Sequence, residues 1–152
     1  MKEYRVRDVN ELPAVAKEVI LLLEERQRKD GGAASVLALH GDLGAGKTTF
    51  MQLLAAELGV TQMVTSPTFV LMKKYETQHS SFANLTHIDA YRIEDIDEMR
   101  PLRFTEELEQ KGTIIGIEWA EKIASLLPPD TLHIQFEMVD ETRVITINGK
   151  GN

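Results

Sequence analysis

Large apolar residues (Tyr4, Val6, Val9) alternate with charged ones over residues 4–9, and this period near two predicts an edge strand, although the alternation slips at its end. From Asn10 the spacing changes. Leu12, Val15, Val19, Leu22 and Leu23 recur every three or four positions, which predicts an amphipathic helix with Asn10 or Glu11 as its cap and Pro13 in its first turn. The charged stretch 24–30 carries the helix to Gly31-Gly32, a loop rather than a domain linker. Residues 35–40 form a short apolar run ending in a glycine-rich segment. Helical spacing then returns over 48–58 through Phe50, Leu53, Leu54 and Leu58.

Two further strands are predicted over 70–75 and 85–88, joined by a polar, mobile stretch at 77–83 and expected to pair as a hairpin. Residues 95–110 read as an acidic helix interrupted by Pro101. The unbroken apolar run 114–117 predicts a central strand covered on both faces and closed by Glu118. A short helix over 120–127 ends at Pro128-Pro129, and strands over 132–138 and 144–147 complete the pattern. Such alternation predicts one α/β domain over 1–152, with a mainly parallel central sheet flanked by helices and antiparallel additions.

Composition narrows the function classes. At 152 residues, 43% apolar and 27% charged, the chain can bury a real core and does not resemble a disordered segment. Its formal charge of -7 works against tight sequence-independent binding to nucleic-acid phosphates, so any such role is expected to be indirect. The absence of cysteine removes disulfides, thiolate metal sites and thiol nucleophiles, and makes an intracellular compartment the simpler expectation. The first residues do not resemble a leader, and no apolar run reaches the roughly 18–20 residues that a membrane span needs. A cytoplasmic location is therefore expected.

Residues 41–48, GDLGAGKT, match GxxxxGK[ST] between a predicted strand and a predicted helix, the context that a phosphate-binding loop requires. Glycines let backbone N–H groups turn inward onto an anion, and the helix N-terminus adds partial positive charge. Lys47 is then expected at the β- and γ-phosphates, and the Thr48 hydroxyl at Mg²⁺. Thr49 either touches the α-phosphate or faces solvent. A nucleotide triphosphatase also needs a carboxylate at the end of a neighbouring strand, and Asp89 and Glu118 both qualify. Ser66-Pro67-Thr68-Phe69 lies where many nucleotide hydrolases sense the γ-phosphate. Thr68 has a suitable hydroxyl, with a plain turn as the alternative. Arg92 is read first as an ion-pair partner of nearby acids and second as an arginine finger. His40, His79, His87 and His133 show no metal-ligand spacing and read as loop or strand residues. Trp119, the only tryptophan, reads as a half-buried anchor.

Taken together, GDLGAGKTTF, SPTF, the H-x-D-x-Y-R stretch from His87 to Arg92 and IEWAE from Ile117 to Glu121 resemble the TsaE family of bacterial P-loop ATPases, also called YjeE, in order and spacing along nearly the whole chain. The resemblance implies an ATP hydrolase, slow alone, that associates with the TsaB and TsaD proteins. Together these would make threonylcarbamoyladenosine beside the anticodon of tRNA, with tRNA met only through that complex. It implies a phosphate cradle of Leu43, Gly44, Ala45, Gly46, Lys47 and Thr48. It also makes Thr48 and Glu118 the Mg²⁺ ligands, puts Asp89 near nucleotide and metal, and makes Trp119 a neighbour of the site. Arg143 falls where the family's C-terminal strands approach the nucleotide. One departure stands out: the family usually has a threonine in its N-terminal helix bordering the nucleotide, and Leu12 is the best-matching position here. Two other functions fit the residues alone: a small P-loop kinase, for which only Arg92, Arg100 and Arg103 are available as lid arginines, and a nucleotide-gated binding module with little turnover.

Overall fold

The computed structural model describes residues 1–30, 32–42, 44–65, 67 and 71–148. Among these residues seven strands form one sheet: β1 (Lys2–Val6), β2 (Ser35–His40), β3 (Met72–Glu76), β4 (Asn84–Asp89), β5 (Thr113–Glu118), β6 (Leu132–Val139) and β7 (Thr142–Asn148). Their spatial order is β1-β7-β6-β2-β5-β4-β3. The four inner strands β6, β2, β5 and β4 run parallel, whereas β1, β7 and β3 join antiparallel, so the expected mainly parallel sheet with antiparallel additions is what forms.

Side-chain alternation sorts the core into two layers. Leu37 and Leu39 of β2 face the helices α1 (Leu12–Asp30) and α2 (Lys47–Glu57), packing with Val19, Leu23, Phe50 and Leu54. Val36 and Ala38 face the other way, with Ile115, Ile117, Met99, Phe104 and Ile123. Every residue of β5 is buried, as expected for a central strand covered on both faces. No helix among the described residues is long and apolar enough to cross a membrane.

Several boundaries differ from expectation for local reasons. Strand β1 ends at Val6 because Asp8 caps a 3-10 turn at Val9–Glu11. The Asp8 carboxylate accepts from the Asn10 N–H, and the Glu11 carboxylate accepts from the Asp8 N–H. This reciprocal box, rather than Asn10 or Glu11 alone, sets the entry to α1. The acidic helix expected over 95–110 is broken into a 3-10 turn at Ile96–Met99, capped by Asp95 and Glu98, and a single turn, α3 (Phe104–Glu107). Pro101 has no N–H to continue the ladder, and Arg103 takes a left-handed conformation with φ 55°. The short helix after β5 is instead a 3-10 segment, Ala120–Leu126, kinked at Ile123. The stretch read as mobile at 77–83 is tied down: the Gln78 N–H donates to Leu58 O, Ser81 Oγ donates to Glu24, and Phe82 is fully buried.

Candidate nucleotide site

Strand register places the chemistry. Leu39 of β2 pairs with Glu118 of β5, and Glu118 pairs with Asp89 of β4. The ends of β4 and β5 are therefore level with the point where β2 enters the glycine-rich loop, and both carboxylates stand at the carboxyl edge of the parallel sheet, where open α/β sheets gather ligands.

The loop then turns into α2. Gly44 and Gly46 hold φ of 80° and 108°, and a Cβ on Gly46 would stand 3.1 Å from Arg143 Nε. Gly46 is the N-cap of α2 and offers no side-chain cap, so the helix's first amides remain available to an anion. A cleft of about 340 Å³ opens there, lined by Asp42, Gly44, Ala45, Gly46, Lys47, Thr48, Thr49, Asp89, Tyr91, Glu118, Trp119 and Arg143. The expected site residues among the described ones thus converge in one place. Leu43 and Thr68 lie outside the described residues.

Lys47 is nearly buried, and its ammonium donates to the carbonyls of Gly41 and Asp42 while lying over the Trp119 ring. Burial pushes its pKa down. The carboxylates of Glu118, Glu121, Asp89 and Asp42 oppose that shift. Thr48 Oγ1 donates to Glu118 Oε1 at 2.8 Å, joining the first turn of α2 to the end of β5. The other oxygen, Oε2, lies 2.6 Å from His87 Nε2, and both side chains are buried. Asp89 Oδ1 accepts from the Tyr91 N–H at 2.9 Å, so this acid also fixes the turn after β4.

A hydroxyl and two carboxylates are hard oxygen donors of the kind Mg²⁺ takes. Among the described residues, no three His, Cys, Asp or Glu side chains form a cage that could hold a metal alone. The N-terminus of α2, which has no side-chain cap, Lys47 and the oxygen donors fit a Mg-nucleotide.

Trp119, half-buried, also lines the cleft. It sits at φ 58°, a conformation costing a bulky residue about 1–2 kcal/mol. Its ring centroid lies 5.0 Å from that of Tyr91 and 3.9 Å from Lys47 Nζ. Arg92 is exposed and does not line the cleft. Leu12 is fully buried in the core between α1 and the sheet, so its side chain does not replace the threonine expected at the nucleotide. Sequence reasoning gave no site role to His87, read as a loop or strand residue, or to Tyr91, both noted only within the H-x-D-x-Y-R stretch. The signal for His87 was its period: two residues before Asp89 on one strand, it faces the same side.

A family model for "Threonylcarbamoyl adenosine biosynthesis protein TsaE" matches residues 6–145. The tRNA threonylcarbamoyladenosine biosynthesis protein TsaE of Bacillus subtilis (strain 168) is 39% identical over 155 aligned positions, covering 100% of this chain and 89% of the relative. The protein of the same name from Streptomyces coelicolor is 37% identical over 128 positions, with coverage of 78% and 82%. Among solved structures, that of Bacillus subtilis YdiB superposes with a TM-score of 0.71 at 32% identity, covering 99% of this chain and 86% of the other. Motifs, sheet order and relatives along almost the full length agree: the chain belongs to the TsaE family.

Proposed function

We propose that this chain, working as a single domain in the cytoplasm, binds and hydrolyses ATP with Mg²⁺ to support the TsaB and TsaD proteins in forming threonylcarbamoyladenosine next to the anticodon of tRNA. The observation that carries the nucleotide part is the 2.8 Å hydrogen bond from Thr48 to Glu118, which brings the P-loop hydroxyl and a strand-end carboxylate to one point beside Lys47. The names of the relatives supply the pathway.

In this reading the backbone of residues 44–48 cradles the phosphates, and Lys47 leaves its carbonyl seats to neutralise the β- and γ-phosphates. Thr48 and Glu118 hold Mg²⁺, with Asp89 beside it. The metal supplies charge neutralisation at the phosphoryl oxygens. Arg143 adds a second cation from β7.

The kinase alternative loses support from the acidic segment. Arg100 and Arg103 are exposed, lie near Asp97 and Glu106 at 3.6 and 3.9 Å, and line a separate groove with Met99 and Phe104. Neither reaches the cleft as a lid arginine would.

The test is phosphate release from ATP, with and without Mg²⁺ and with and without TsaB and TsaD, alongside a panel of small acceptors. Mg²⁺-dependent release that rises with the partners supports the proposal. Transfer to an acceptor would turn the reading to a kinase. Binding with no turnover under any condition would leave a nucleotide-gated module.

A further inference from the structure

We propose that His87 is a positioning residue that fixes the Glu118 carboxylate for the divalent cation, an inference that rests on the Mg-ATP reading above. His87 is fully buried, and its Nε2 lies 2.6 Å from Glu118 Oε2. A carboxylate that ligates a cation is ionised and only accepts, so in that role Nε2 carries the proton and donates. Thr48 donates to the other oxygen at 2.8 Å. Two donors on two oxygens hold both the position and the rotation of a group whose chain would otherwise turn about three bonds.

The backbone explains why the donor stands there. His87 pairs in parallel register with Gly116, and Asp89 with Glu118. On a pleated strand His87 and Asp89 therefore face the same side, Asp89 level with Glu118 and His87 one pleat deeper. Strands β4 and β5 are both buried almost throughout, so the donor rides on rigid structure. His87 Nδ1 is buried with no hydrogen-bond partner. Among the described residues Glu118 is thus the ring's one polar tie, and an apolar residue of similar size would have filled this core position without leaving a nitrogen unpaired. The arrangement matches the general use of outer hydrogen bonds to orient carboxylates at metal sites, whose loss weakens metal binding by about 10–100-fold.

The experiment uses Mn²⁺ as the probe and ADP as the nucleotide, so that no turnover is needed. Free Mn²⁺ is followed by electron paramagnetic resonance in the parent, His87→Gln and His87→Asn. The Gln amide nitrogen reaches about as far as Nε2, whereas that of Asn stops near Nδ1. We expect His87→Gln to stay within about threefold of the parent, and His87→Asn to lose about 10–100-fold in Mn²⁺ affinity. Affinity for ADP in the presence of a chelator should be unchanged in both.

Equal Mn²⁺ affinity in parent and folded His87→Asn overturns the inference, and so does a folded His87→Gln that loses as much as a metal-ligand deletion. If His87→Asn fails to fold, His87→Leu, which has no donor, takes its place: the same loss of about 10–100-fold is expected, and unchanged Mn²⁺ affinity overturns the inference. A parent that takes up neither ADP nor Mn²⁺ overturns the nucleotide reading itself, whereas a binding parent with unaffected variants overturns only the role of His87.

Discussion

The ammonium of Lys47 lies 3.9 Å from the centroid of the Trp119 ring, held there as its Nζ donates to the carbonyls of Gly41 and Asp42. A cation over an indole gains about 0.5–2 kcal/mol depending on desolvation. Phosphates offer this ammonium full negative charge, so nucleotide binding should draw it off the ring. Trp119 is the only tryptophan, and Mg-ATP is therefore expected to change intrinsic fluorescence saturably. Lys47→Ala should lose that change. A saturable response surviving in the variant would assign the signal to some other event.

The same substitution should weaken ATP binding itself. Hydrogen bonds to charged groups contribute about 1.5–3 kcal/mol, which corresponds to about a ten- to hundredfold loss in affinity. Titration with a fluorescent ATP analogue measures it. Unchanged affinity together with unchanged hydrolysis would remove the P-loop reading.

Glu118→Gln separates metal handling from folding. The amide oxygen can still accept from His87 or Thr48, and the Thr48 hydroxyl can rotate to accept from the new N–H, so the network closes without the charge. Thermal stability should change little, while hydrolysis at limiting Mg²⁺ should fall by at least about tenfold. A variant hydrolysing at the parental rate would move the metal role to Asp89.

The P-loop and its flanking elements were legible because their chemistry is local: glycines, Lys47 and Thr48 must be contiguous to wrap an anion. Glu118 and Asp89 could be read because each ends a strand. His87 could not be singled out by ligand spacing, since its partner stands 31 positions away and only the β4–β5 register brings the two together. The acidic segment misled for the opposite reason. Its composition favours helix, yet Asp95 and Glu98 cap a tight turn, Pro101 interrupts the ladder and Arg103 breaks the path, while Met99 and Phe104 are buried against the sheet. Asp8 was likewise hidden within what resembled a strand.

Gly116 has a packing role that the sequence did not advertise. A Cβ there would meet Sδ and Cε of Met51, from α2, at 2.6 Å. Gly116→Ala is expected to cost no more than about 1 kcal/mol, read by urea unfolding, because the new methyl meets the flexible end of Met51. Shortening the opposing side chain should relieve it, so Gly116→Ala combined with Met51→Val should be less destabilised than the two single changes added together. Strict additivity would show that the methionine is not what the new methyl meets.

The last prediction concerns acid stability. His40 Nε2 and His133 Nδ1 lie 2.8 Å apart with the rings stacked, and His40 Nδ1 lies 3.3 Å from Glu121. Burial, the facing His40 and nearby Arg26 push the His133 pKa below its ordinary value of 6.5. Above about pH 6.5 this imidazole is neutral in the folded and unfolded chains alike, and its contribution to stability is fully present. As pH falls, the unfolded chain takes up the proton first, so the contribution shrinks and is lost as pH passes down through the folded pKa. The melting temperature should therefore drop between pH 7 and pH 5 more steeply in the parent than in His133→Gln, which can still meet His40 through its amide but does not titrate. Comparing the two curves removes the carboxylates that begin to protonate at the acid end. Parallel curves would mean that the His40–His133 contact does not couple protonation to folding.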